Sequence, residues 1–243
     1  MFFCSFVLTN EILVIYYNDL ILKERRNYVM HDFEYVPKYE WEPVRDELYE
    51  IIYKLQDEVR EHFTFQFKFV GSSSRNMITR DLNSNKGYDF DVNIEVNDPN
   101  ENYSAYEIRH ILRNALDRVT NPYGYSLFGY DYTEDSTRVL TIKVKDTAKS
   151  RILHSCDFCI INNCSDGKQQ YIRYNKKQSR YLWEYQPKGY AELPHKIDWI
   201  KKHELWQQVC DYYIYKKNMN DNPDKHSRAI FAETVHEIWQ KNK

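Results

Sequence analysis

The chain lacks any excess of positive charge: 34 Lys and Arg stand against 36 Asp and Glu, a formal net charge of −2. A surface without a basic bias argues against avid nonspecific binding to duplex nucleic acid. It also lacks a membrane-length apolar run. The apolar start, Met1 to Leu8, is interrupted by Thr9-Asn10-Glu11 and again by Asn18-Asp19, so no membrane partner is expected. No basic residue precedes that stretch, as a secretory signal would require. Five cysteines, an odd number, without a signal point to a reducing compartment, and the expected location is cytoplasmic. There is no second C-x-x-C beside Cys156 and Cys159, with Cys164 following. On a strand those two thiols face opposite sides, which argues against a shared zinc ion. No internal repeat or low-complexity linker is present. Glycine is scarce, at 6 residues, and tyrosine abundant, at 22; an AT-rich genome produces such a skew, and it carries little functional information.

What is present suffices for a sizeable core, expected as one compact unit with two lobes. Apolar spacing predicts a long amphipathic helix over 42–63, with Val44, Leu48, Ile51, Ile52, Leu55 and Val59 on one face and Pro43 in the first turn. Strands are predicted over 66–70, 88–96, 138–145 and 153–162. Ser104-x-x-Glu107 is a capping box opening a second helix that Asn121-Pro122 ends, with Ile108, Ile111, Leu112, Ala115, Leu116 and Val119 as its buried face. Residues 169–174 and 180–185 read as an extended hairpin. One helix is predicted from about Lys196 to Lys216. Another starts near Asn222-Pro223, with Ile230, Phe231, Val235, Ile238 and Trp239 as its stripe. Residues 1–29 form an N-terminal extension of uncertain role, either a further element on the core or, if Met30 is the start, dispensable.

The most informative segment is Gly71-Ser72-Ser73-Ser74-Arg75, a turn after the apolar strand Phe67 to Val70, followed by Gly87-Tyr88-Asp89-Phe90-Asp91-Val92-Asn93-Ile94-Glu95-Val96. Strand alternation puts Asp89 and Asp91 on one face and Phe90, Val92, Ile94 and Val96 on the other. Neighbouring carboxylates repel and acquire raised pKa values. A hard divalent cation between them removes the conflict, and Mg²⁺ held by one or two carboxylates commonly completes its shell with substrate phosphates. Asp-x-Asp alone is also a common solvated edge. Asp81-x-Asn83-x-Asn85, with Asp89 ninth, begins like a calcium loop, but Lys86 and Val92 stand where that loop needs Gly and Glu.

A Gly-Ser turn opening a short helix, then a strand with Asp-x-Asp, then a third acid on a later apolar strand resembles the polymerase-β nucleotidyltransferase superfamily. The long preceding helix is similar to its oligoadenylate synthetase and bacterial cyclic-oligonucleotide synthase branch. Asp157, within Leu153-His154-Ser155-Cys156-Asp157-Phe158-Cys159-Ile160-Ile161, fits the third acid. The resemblance covers roughly residues 40–165. It implies an α+β fold: a catalytic core over 30–165 whose sheet is flanked by helices, then a hairpin and C-terminal helical lobe over 166–243.

The implied activity is transfer of a nucleotide from a nucleoside triphosphate to a hydroxyl, releasing pyrophosphate. The implied cofactor is a pair of Mg²⁺ ions, with Mn²⁺ as an alternative. Asp89 and Asp91 would bridge both ions, and Asp157 would hold the one that activates the acceptor. Gly71, Ser72, Ser73 and Arg75 would cradle phosphates, with Ser74 in support, and Lys201, beside Lys202, resembles in place a triphosphate-contacting lysine. Relatives often carry Gly-Thr after that arginine; this chain has Asn76-Met77, which puts the details of the phosphate turn in doubt. The resemblance implies an oligonucleotide or cyclic-nucleotide signal in antiviral defence, acting on a partner effector protein. The alternatives are single-nucleotide transfer to a small molecule, tRNA or protein, and a catalytically dead nucleotide-binding module. Lys168, Arg173, Lys176, Lys177, Arg180 and Lys188, interleaved with Tyr171, Tyr174, Tyr181, Trp183 and Tyr185, read either as a track for a single-stranded product or primer, or as a hairpin whose aromatics pack inward.

Overall fold

The computed structural model describes residues 31–124, 126, 128–186 and 192–243. The extension 1–29 and Lys188 lie outside these. Chain order is β1 (Phe33–Tyr35), α1 (Lys38–Val59), β2 (Thr64–Val70), a 3₁₀ turn (Ser73–Arg75), β3 (Thr79–Asp81), β4 (Tyr88–Asn97) and α2 (Ala105–Thr120). Then come β5 (Glu134–Asp135), β6 (Val139–Asp146), β7 (Arg151–Asn163), β8 (Gln169–Asn175), β9 (Arg180–Tyr185), α3 (Leu193–Lys202), α4 (Trp206–Met219) and α5 (Ser227–Asn242). This is the α+β arrangement expected.

The predicted first helix is shifted by four residues at each end. It runs over 38–59 because Pro37 serves as N-cap, its carbonyl accepting from the amides of Glu40 and Trp41, and because Trp41 is buried in the core. Pro43 therefore falls in the second turn. The helical hydrogen bond it cannot make would have gone to Tyr39, whose side chain is 77% exposed.

The main sheet has the order β2-β4-β7-β6-β5, with β8 and β9 attached beyond β7. Only the central β4–β7 pair is parallel. Burial along β4 alternates strictly, with Tyr88, Phe90, Val92, Ile94 and Val96 buried. That face packs beneath α1 and α2 in one hydrophobic cluster with Leu48, Ile52, Leu55, Leu112 and Leu116. The opposite face is left available. The predicted capping box of α2 is formed: the Ser104 hydroxyl accepts from the Glu107 amide, and Glu107 Oε2 accepts from the Ser104 amide at 2.8 Å.

β8 pairs with the last residues of β7, Ile161–Asn163, so the hairpin extends the sheet across position 165. Three of its aromatics pack inward: Tyr171 is 3% exposed, and Tyr181 and Trp183 lie against the main core, whereas Tyr185 is 56% exposed. Arg173 pairs with Glu184 and Lys168 with Asp166. For Tyr171, Tyr181 and Trp183 the inward-packed reading is the one realised, while Tyr185, Lys176, Lys177 and Arg180 stay exposed.

The single helix predicted over 196–216 is two helices, α3 and α4, separated by His203–Leu205. The break is a Schellman stop. The Leu205 amide donates to Ile200 O at 3.0 Å and the Glu204 amide to Lys201 O at 3.1 Å, with Glu204 at φ 59°. Glycine normally occupies that left-handed position. Glu204→Gly should therefore raise stability by about 0.5–1 kcal/mol, read as a higher midpoint in urea with an unchanged slope.

Helices α3, α4 and α5 enclose a second cluster of Ile200, Val209, Tyr213, Ile230, Phe231, Val235 and Ile238, which Met77 joins from outside the helical region. The β1–β3 ribbon ties this cluster to the sheet. Asn218 exchanges hydrogen bonds with the backbone of Phe33, and the Lys217 ammonium donates to Thr79 Oγ1 at 2.6 Å while lying 3.8 Å from the Phe33 ring centroid. Among the described residues no helix is long and apolar enough to cross a membrane.

Candidate active site

The open face of the sheet carries the acids in two rows set by strand register. In one row Val70 of β2, Asp91 of β4, Asp157 of β7 and Thr141 of β6 stand side by side; in the next, Asp89, Ser155 and Lys143 do. Asp89 and Asp91 follow from alternation along one strand. Asp157 is their neighbour because β4 and β7 run parallel, which places it directly beside Asp91. One carboxylate oxygen from each of the three lies within 4.8 Å of the other two.

This proximity is electrostatically unfavourable for the bare protein. Asp89 is pushed up to about 8, first by burial and then by the charges of Asp157 and Asp91, against a hydrogen bond from Ser155. Asp91 is pushed up to about 6 by burial and by Asp157, with Arg75 opposing. Asp157 is raised by burial, and Thr141 and Lys143 hold it down. Three clustered oxygen donors whose mutual repulsion is relieved by few cations fit a hard divalent ion such as Mg²⁺.

The Gly-Ser turn abuts the acids. Gly71 has φ +65°, and a Cβ there would stand 2.1 Å from Asp91 Oδ2. The glycine thus serves the carboxylate as much as any ligand: it vacates the volume that the Asp91 side chain fills. Gly71→Ala should cost about 1–3 kcal/mol of stability through left-handed strain and displacement of Asp91, read as a lower midpoint in a thermal melt of the purified variant.

The three serines behave differently from one another. Ser73 is buried and its hydroxyl donates to Val70 O at 2.9 Å, while the Ser74 hydroxyl donates to Gly71 O at 3.0 Å. These two shape the turn. Ser72 makes no side-chain capping bond in it.

Arg75 is no surface residue. Its guanidinium lies 4.1 Å from the centroid of the Phe231 ring of α5, and its Nε is buried without a hydrogen-bond partner. Burial lowers its pKa, with Tyr213, Asp91 and Arg228 as the charged or ionisable groups around it. Asn76, at φ 54°, closes the turn, and Met77 is 1% exposed in the second cluster. The Asn-Met pair thus anchors the turn to the C-terminal helices. Lys201 is exposed near the end of α3, its ammonium 4.9 Å from the Trp206 ring centroid, and it is not among the groups acting on the three acids.

Sequence reasoning missed Ser155, Thr141, Phe231 and Tyr213. Ser155 shares strand parity with Asp157 and was readable from alternation. The others depend on strand register or on helix packing, which no local pattern reveals.

No family model matches the sequence, and no curated protein matches it. Solved structures do match in fold. The Vibrio cholerae DncV cyclic AMP-GMP synthase in complex with nonhydrolyzable GTP superposes with a TM-score of 0.52 at 14% identity, covering 84% of this chain and 53% of that one. The 3′-deoxy ATP bound form of DncV gives 0.51 at 16% identity, with the same coverage. The DncV structure described as a cyclic AMP-GMP synthase and prokaryotic cGAS homolog gives 0.51 at 15%, covering 79% and 50%. The chain thus spans about half the length of the structures it matches. It shares the fold of these DncV structures, with its three acids on the open face of the sheet.

Proposed function

We propose that this protein is a metal-dependent nucleotidyltransferase that moves NMP or dNMP from a nucleoside triphosphate to a hydroxyl without a template. Its product would be an oligonucleotide or cyclic nucleotide that signals to an effector protein in antiviral defence, inside the cell where triphosphates are available. One observation carries the reading: three carboxylates from two parallel neighbouring strands converge within 4.8 Å beside a Gly-Ser turn.

Asp89, Asp91 and Asp157 would hold divalent cations, Mg²⁺ or Mn²⁺. Such ions, when bound, stabilise the attacking and leaving oxygens of an in-line displacement together. The acceptor oxygen bonds to the α-phosphorus as the bond to the bridging oxygen breaks, and pyrophosphate departs with that electron pair. Asp157, on the strand beside Asp91, would hold the ion that activates the acceptor hydroxyl. Gly71, Ser72 and Arg75 would receive the phosphate tail, with Ser73 acting through the shape of the turn. Lys201 would contribute from α3 only if the helices close further on the substrate.

The test is incubation with each of the eight ribo- and deoxyribonucleoside triphosphates and Mg²⁺, followed by separation of products. Oligomeric or cyclic products that vanish with Asp91→Asn are expected. Labelling of an added acceptor alone would redirect the reading to single-nucleotide transfer. No turnover of any triphosphate, alone or with acceptors, would remove it.

A further inference from the structure

Two of the three acids are each tied by a neighbouring hydroxyl. The Ser155 hydroxyl donates to Asp89 Oδ1 at 2.8 Å, and the Thr141 hydroxyl donates to Asp157 Oδ1 at 2.5 Å. Both hydroxyls come from the row of the acid they serve, through pairings Asp89↔Ser155 and Asp157↔Thr141. They approach from the same side, each from the next strand towards β6. Asp91 is confined differently, by the close approach of Gly71, where a Cβ would stand 2.1 Å from its Oδ2. A carboxylate has two oxygens and a free rotor. Fixing one oxygen of Asp89 and one of Asp157 on strand-borne hydroxyls restrains each carboxylate plane and leaves each other oxygen free of that bond. Without those bonds, repulsion among three like charges would turn the acids apart.

We infer that Ser155 and Thr141 are positioning residues that preorganise the Asp89 and Asp157 carboxylates for divalent-cation binding, one oxygen held by the protein and one offered to the ion. The inference rests on the metal-dependent reading above and adds two residues to it. Partners of this kind commonly set metal affinity by 10–100-fold. Neither residue touches the reacting atoms, so the effect belongs in ion affinity rather than in the chemical step at saturating metal.

The experiment is an Mn²⁺ titration of the full chain followed by EPR, on the wild type, Ser155→Ala, Thr141→Val, the hydroxyl-keeping Ser155→Thr and Thr141→Ser, and Asp91→Asn. Expected are ions bound by the wild type, affinity weaker by about 10-fold or more in each hydroxyl-deleted variant, and near wild-type affinity in the two hydroxyl-keeping variants. A lost fold would fail the hydroxyl-keeping variants as well, and far-ultraviolet circular dichroism identifies it. Ser155→Ala and Thr141→Val binding Mn²⁺ as tightly as the wild type overturns the inference and leaves the metal-dependent reading standing. A wild type that binds no Mn²⁺, or an Asp91→Asn variant that binds as well as the wild type, overturns that reading and the inference with it.

Discussion

Asp89→Asn should abolish triphosphate turnover, by about 10³-fold or more, while making the metal-free protein more stable. The two effects share one cause. Asp89 is half-buried, faces Asp91 and Asp157, and has its pKa raised to about 8. At pH 8 the folded state must either keep a proton on Asp89 or carry its charge in a place that resists it, whereas the unfolded chain is fully ionised in water. An amide keeps the shape and can still accept from Ser155, but it carries no charge. The expected gain is on the order of 2 kcal/mol or more at pH 8 without metal, or about 4–8 °C for a chain of this size. A differential scanning melt in EDTA, paired with a turnover assay, checks both halves. An inactive variant that melts lower than the wild type would show that the cluster is not under electrostatic strain.

Proton linkage gives the second large effect. Asp89 and Asp91 have folded-state pKa values raised to about 8 and about 6 from an ordinary 3.8. Between about pH 4 and each raised value the folded state retains protons that the unfolded state has released. Stability therefore falls as pH rises through that window, the reverse of a salt-bridged aspartate. Divalent cations bind the ionised acids, so their stabilisation should grow over the same interval as fewer protons compete. Melts across mildly acidic to mildly alkaline pH, in EDTA and in excess Mg²⁺, should show the metal-free midpoint declining and the gap between the curves widening. A gap independent of pH would place the metal elsewhere.

Much of the sheet was legible because its signals are local. Alternation over 88–96 assigned the faces of β4 correctly, and Ser104 with Glu107 marked the start of α2 in full. The pairing of Asp157 with Asp91 needed the parallel register of β4 and β7; family resemblance supplied only a third acid on a later strand, and periodicity did not supply the register. The errors also have local reasons. The first helix was misplaced because Pro43 suggested a first turn, whereas the chain admits it one turn later. The break at 203–205 was hidden because the usual sign of a helix stop, glycine, is replaced by Glu204 at φ 59°; Asn76, Glu101, Ser150 and Ser179 likewise take positive φ. In a glycine-poor chain the left-handed corners are spread over ordinary residues, and the punctuation disappears from the text.

The placement of Met77 in the second cluster, with Arg75 on Phe231, makes the C-terminal helices part of the turn's foundation. Any motion that loosens α5 from its neighbours would also free the arginine and the two residues behind it. The set of the turn beside Asp91 and the cohesion of the helical half are thus one equilibrium, and a molecule wedged between the helices would disturb both at once.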